Sequence, residues 1–162
     1  MRKLQFLIAF LVVALDRATK IIVAKNISFH GGIQVIPGFF RITHVENTGA
    51  AFGLFADSPG TWKVVMLVLF SVVALIVVLA LLWRGQHTMM TTGIGLALIL
   101  GGAIGNLWDR LLSGRVVDFL LFYIGRYQWP AFNIADSAIV IGAGLLVIEI
   151  LFGKTSVAGH SS

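Results

Sequence analysis

The sequence predicts an all-α polytopic membrane protein, with four transmembrane helices and a small β-containing insertion between the first two. Three observations carry that expectation. Hydrophobic residues make up 58% of the 162-residue chain and charged residues 12%, with a mean hydropathy of +0.96. A soluble domain carries about 25% charged residues, so this composition excludes a soluble globular enzyme. Long apolar runs recur along the whole chain, and turn-rich polar segments separate them. One membrane domain, residues 1–162, accounts for the length.

The first span is expected at about 4–24. Arg2 and Lys3 ahead of an apolar run also look like a signal peptide, but Asp16, Arg17 and Lys20 stand where a small-residue cleavage site belongs. The segment is therefore taken as a retained helix. The second span, 62–83, has Lys63 as its only charge and Trp62 and Trp83 at its ends, as interfacial tryptophans sit. Its length gives roughly 33 Å of helix at about 1.5 Å per residue, against a hydrocarbon core of about 30 Å. The third and fourth spans fall at about 92–108 and 131–152, and each tryptophan (62, 83, 108, 129) then lies at or beside a helix end. Gly101 and Gly105 form a GxxxG pair that lets a neighbouring helix approach. Of the two polar insertions, 25–61 holds Gly31-Gly32 and Pro37-Gly38 turn signals around β-prone residues, and 110–130 is shorter.

Four spans put both insertions on one side and both termini on the other. Four basic residues (Arg2, Lys3, Arg84, Lys154) lie on the terminal side and eight on the other, but six of the seven acids share the side of those eight. Charge counting leaves the orientation open. The net charge of +5 suits anionic lipid and gives no support to a nucleic-acid partner.

Ionisable residues within spans are costly, so each needs a partner or a function. Asp16 and Lys20, four apart on one helix face, read as an ion pair. Asn106, Asp109 and Arg110 project from the end of the third span. Asp118 follows between apolar neighbours, and Asn133 and Asp136 share a face at the start of the fourth span. These residues converge on one membrane interface. Packing glue from Asn and Asp hydrogen bonds is the plainer account of them, yet a packed helix does not need so many.

The absence of cysteine removes thiolate nucleophiles, disulfides and cysteine-based metal sites. His30, His44, His87 and His160 stand in no metal-ligand spacing, and no serine lies in a nucleophile elbow. No metal or cofactor is expected. Two facing carboxylates work without either. If Asp118 and Asp136 stood 4 Å apart, ionising both would cost about 4 kcal/mol at an effective dielectric near 20, or roughly three pKa units. One member then holds a proton and polarises a carbonyl while the other activates water.

Five segments in order resemble the lipoprotein signal peptidase (signal peptidase II) family. They are Asp16 to Lys20, the ENTGAAFG run at 46–53, GGAIGNLWDR at 101–110, VVDF at 116–119 and FNIAD at 132–136. The resemblance implies an aspartyl endopeptidase of the bacterial inner membrane that cuts diacylglyceryl-modified prolipoproteins N-terminal to the lipidated cysteine. By that resemblance Asp118 and Asp136 match the catalytic dyad. Asn47, Gly49, Asn106, Arg110 and Asn133 match substrate-binding or dyad-positioning residues. Asp16 and Lys20 match a structural motif, and Asp109 supports its neighbours. The family also implies cytoplasmic termini and a periplasmic active site and insertion, with Phe39, Phe40, Phe52 and Phe55 as lipid or substrate contacts.

A proton- or cation-carrying transporter is the alternative of a different class. It favours acids in mid-span, whereas these lie at one edge beside polar insertions. A phosphatidyltransferase would need metal-spaced aspartates, and a non-enzymatic assembly factor gives no reason for two facing carboxylates. Nothing in the sequence demands more than a monomer.

Overall fold

Residues 2–26 contain neither proline nor glycine, and they form one uninterrupted helix, α1 (Arg2–Asn26), in the computed structural model. The structure describes residues 2–49, 62–84 and 90–152. After α1 come strands β1 (Gly32–Ile36) and β2 (Phe40–Asn47), helices α2 (Trp62–Arg84) and α3 (Met90–Ser113), strands β3 (Val116–Ile124) and β4 (Tyr127–Gln128), and helix α4 (Ile134–Phe152). Among the described residues three helices, α2, α3 and α4, are long and apolar enough to cross a membrane. On α2 only Val78 and Leu82 are buried, and many of its large apolar side chains, Val65, Leu69, Phe70 and Ile76 among them, lie exposed. So broad an apolar face requires a non-aqueous surrounding.

Helix α3 is the axis of the molecule and packs against α1, α2 and α4. It contains five glycines, each costing about 1 kcal/mol relative to alanine in an isolated helix. Close approach of neighbouring helices explains them. A methyl on Gly101 would stand 2.7 Å from the Ala9 carbonyl oxygen, one on Gly105 2.7 Å from Asp16 Oδ2, and one on Gly102 would strike the Ala135 carbonyl. The GxxxG pair thus seats α1, and the adjacent Gly102 seats α4.

The sheet is antiparallel throughout, in the order β1-β2-β3-β4. It corrects the expectation that β-structure is confined to the insertion between the first two helices: half of it comes from the segment between α3 and α4. The helix bounds differ too. α3 runs five residues past Trp108, which is therefore internal to the helix, and α4 starts at Ile134 instead of 131. Phe119 packs with Val23 and Ile27 and so docks the sheet on the end of α1.

A bulge in β2 decides which of its side chains reach the bundle. Ile42 pairs with Leu120, but Val45, not His44, pairs with Asp118, so one extra residue lies between them. Strand side chains alternate faces, so that extra residue exchanges the two faces beyond it. Val45 and Asn47, in place of His44 and Glu46, therefore share the face of Asp118. The bulge is pinned from below, where Thr43 Oγ1 donates to the Gly31 carbonyl (2.8 Å) and His44 Nδ1 bonds the Ile27 carbonyl (2.8 Å).

The glycine contacts predict opposite effects at two positions. Gly102→Val should lower stability by about 1–3 kcal/mol, the usual cost of overpacking. Gly144→Ala, where an added methyl meets nothing within 4 Å, should raise it by up to about 1 kcal/mol. Thermal unfolding of both variants in detergent checks the pair.

Candidate active site

Four elements deliver the polar residues to one place: β2 brings Asn47, β3 brings Asp118, α3 brings Asn106 and Arg110, and α4 with the residue before it brings Asp136 and Asn133. Asn133 is not a turn inside α4, as its spacing suggested, but the residue immediately before it. Its Oδ1 accepts from the Asp136 N–H (2.9 Å), and its own N–H donates to Asp136 Oδ2 (3.3 Å). This reciprocal arrangement is a capping box, which satisfies backbone donors that a helix start leaves unpaired. A further donor of that first turn, the Ala135 N–H, is taken by Asp16 Oδ1 at 3.0 Å, reaching across from α1.

The same Asn133 joins the two carboxylates. Its Nδ2 donates to Asp118 Oδ1 at 2.7 Å and lies 3.2 Å from Asn106 Oδ1, and the side chain is wholly buried. Asp118 Oδ2 accepts from Asn47 Nδ2 at 3.0 Å. Asn47 Oδ1 is held by the Gly49 N–H (2.8 Å), which turns its amide nitrogen toward Asp118. Asp136 Oδ1 accepts from Asn106 Nδ2 at 2.7 Å. Arg110 Nη1 donates to the Asn106 carbonyl oxygen (3.2 Å). Among the described residues each carboxylate thus accepts two hydrogen bonds, and none of these comes from a cation.

Beneath these residues lies a cluster of charges. Lys20 Nζ is 2.7 Å from Asp16 Oδ2, 2.7 Å from Asp109 Oδ2 and 3.1 Å from Asn106 Oδ1, while Arg17 pairs with Asp109. Two cations and two carboxylates balance, as burial requires. The Asp16–Lys20 pair has the geometry expected from its four-residue spacing. Sequence reasoning missed Arg17 as a partner of Asp109, and it missed the contact between Lys20 and Asn106. The Asn-x-x-Asp spacing at 133–136 is the signal that could have revealed the cap.

Burial pushes the Asp118 carboxyl up from the usual 3.8 to about 7, and the negative charge of Asp136 pushes it the same way. The bonds from Asn47 and Asn133 and the charge of Lys20 oppose the rise. A cavity of about 500 Å³ opens onto the pair. Asn47, Asn106, Arg110, Asp118 and Asp136 form its polar end, and Val116, Phe132, Ile139 and Val140 its apolar wall. A second cavity of about 510 Å³ lies on the sheet, where Phe39 and Phe122 contribute, and Phe40 stacks on Phe122 with ring centroids 4.8 Å apart. Phe52 and Phe55 lie outside the described residues. Among the described residues no three His, Asp or Glu side chains are grouped to hold a metal ion. The amide donors aimed at both carboxylates also make a poor setting for a cation.

Residues 8–152 match the family model described as signal peptidase (SPase) II. The chain is 47% identical over 154 residues to a lipoprotein signal peptidase of Solibacter usitatus, covering 95% of this chain and 94% of that protein. It is 49% identical over 152 residues to one of Desulforapulum autotrophicum, covering 91% of each. A solved bacterial membrane enzyme, determined by the in meso method at 2.3 Å, superposes with a TM-score of 0.83 at 34% identity, covering 99% of this chain and 94% of that one. With the family model matched over residues 8–152 and relatives 47% and 49% identical over more than nine-tenths of the chain, the chain belongs to the signal peptidase II family, aspartic-type proteases of lipoprotein processing.

Proposed function

We propose that this chain removes signal peptides from diacylglyceryl-modified bacterial prolipoproteins, cleaving N-terminal to the lipidated cysteine with Asp118 and Asp136 as the catalytic dyad. The observation that carries the assignment is Asn133: one buried side chain bonds Asp118 directly and caps the turn that holds Asp136. Two carboxylates from different elements are thereby tied together at the polar end of a cavity whose wall is apolar. A peptide bond joined to apolar chains fits such a cavity.

In this mechanism Asp118 holds the proton that the two carboxylates share near neutral pH. Asp136 sits at the N-terminus of α4, where the helix dipole favours an anion, and takes a proton from water as that water attacks the scissile carbonyl carbon. Asp118 gives its proton to the carbonyl oxygen, and a tetrahedral diol results. Asp136 then passes its proton to the amide nitrogen while Asp118 takes one back from the diol, and the C–N bond breaks to leave a free carboxyl and an amine. Asn47, Asn106 and Asn133 hold the carboxylates, Gly49 fixes Asn47, and Arg110 lines the approach to the site. Asp16 and Asp109 serve the charge cluster beneath.

The apolar exterior supports a multi-pass topology in the bacterial inner membrane. α1 is the fourth span, its Asp16, Arg17 and Lys20 sheltered by α3 and α4. The sheet and both insertions (25–61 and 110–130) lie on the periplasmic side, with the termini in the cytoplasm. Substrate enters sideways from lipid, and a monomer suffices because one chain supplies both carboxylates.

Cleavage of a diacylglyceryl-modified prolipoprotein, followed by gel shift, tests the assignment. Asp118→Asn and Asp136→Asn should each lose roughly 10²- to 10⁴-fold in rate, and EDTA should leave the wild type unaffected. Full activity in either variant would remove that residue from the dyad. The rate should also fall on the alkaline side with an apparent pKa near 7, where Asp118 loses its proton.

Stability gives an independent readout of the same carboxyl. Because folding raises its pKa from 3.8 to about 7, the folded state holds this proton more tightly than the unfolded chain. The wild type therefore loses stability as pH rises between those values. Asp118→Asn has no such proton, so its melting temperature relative to wild type should climb as pH is raised from about 4 to about 7 and level off above that. A pH-independent difference would contradict the buried-acid account.

A further inference from the structure

We infer that Lys20 is a positioning residue of the peptidase centre, fixing the side-chain amide of Asn106 so that its nitrogen, and not its oxygen, meets Asp136. The inference rests on the reading of Asp118 and Asp136 as the dyad, and it gives Lys20 a role that the ion pair with Asp16 alone would not. Lys20 lies in α1 and is 2% exposed. Its ammonium is surrounded by Asp16 Oδ2, Asp109 Oδ2 and Asn106 Oδ1. The two carboxylates already balance its charge and that of Arg17, so charge compensation does not call for the contact with Asn106.

The chemistry of that contact is one-directional. An ammonium has donors and no acceptor, so the Asn106 atom facing it must be the oxygen. The amide nitrogen then points the other way, where it donates to Asp136 Oδ1 at 2.7 Å. A reversed amide would set two donors against each other at Lys20 and two acceptors against each other at Asp136. Asn133 Nδ2 also approaches Asn106 Oδ1, at 3.2 Å, but it shares its donors with Asp118 Oδ1 and the Val117 carbonyl. The charged donor is therefore the stronger hold on the amide. Besides Lys20, the charges gathered around the pair are Asp16 and Arg17 from α1 and Asp109 and Arg110 from α3.

Two variants of the full chain in detergent test the inference, assayed beside Asp118→Asn and Asp136→Asn. Lys20→Met removes the ammonium and keeps much of the side-chain volume. Its kcat should fall roughly tenfold to a hundredfold, as loss of one charge-assisted hydrogen bond implies, with KM little changed. The alkaline limb of its pH profile should also move upward, because the positive charge that favours ionised Asp118 is gone. A wild-type kcat and an unmoved alkaline limb with only a lowered melting temperature would show that Lys20 merely braces the helices, and would overturn the inference. Should Lys20→Met fail to fold, Asn106→Asp decides. It keeps an acceptor for Lys20 but offers no donor to Asp136, so a similar loss of kcat in a protein that still melts cooperatively is expected. Full activity of Asn106→Asp would overturn the inference. If the aspartate variants stay active, the dyad reading fails; if they are dead while Lys20→Met keeps wild-type kinetics, only the role of Lys20 fails.

Discussion

An ammonium group cannot stay charged in an apolar bundle unless carboxylates come to meet it, and the interior of this protein is arranged around that requirement at Lys20. Asp16 reaches it from the same helix and Asp109 from α3, and Arg17 completes the balance. Removing a charge from water costs several kcal/mol even after relaxation, and only close counter-charges recover it. The cluster consequently dictates where α1 and α3 touch. Glycine at 105 gives Asp16 the room it needs. The second oxygen of Asp16 then accepts the Ala135 N–H, which draws the start of α4 to the same spot. Three helices are fixed relative to one another around one buried cation.

The proposed dyad stands on that foundation through amides and not through charges. Asn47, Asn106 and Asn133 each point a nitrogen at a carboxylate while something else occupies the oxygen: the Gly49 N–H, Lys20 and the Asp136 N–H respectively. An amide with both ends engaged has one orientation. Neutral donors hold the two acids without pairing them with a full opposite charge, which leaves Asp118 able to keep its proton near neutrality. Arginine or lysine in direct contact would have pulled that value down.

Much of this was legible in the residues. The apolar runs located the helices because a helix is the one open segment that satisfies its own backbone in lipid. The spacing of Asp16 and Lys20 gave their pairing, since four residues return to the same face. The glycine pair in α3 announced close packing. The meeting of β2 with β3 was not legible, because strand register depends on partners distant in sequence. The bulge at Thr43 and His44 was hidden for the same reason, and with it the reason that Asn47, and not Glu46, approaches Asp118. The contact of Lys20 with Asn106 joins residues 86 positions apart, a distance at which no periodicity speaks.

The order of elements along the chain has a consequence for biosynthesis. Asp118 rides on the sheet, while Asp136 and its cap belong to α4, the last described helix. A nascent chain emerging from the ribosome contains α1, α2, α3 and the sheet before it contains Asp136. Until α4 arrives, Asp118 also lacks Asn133, the amide that anchors it. The proposed dyad is thus completed only when α4 is in place, and a chain made only as far as the sheet holds one of its two carboxylates.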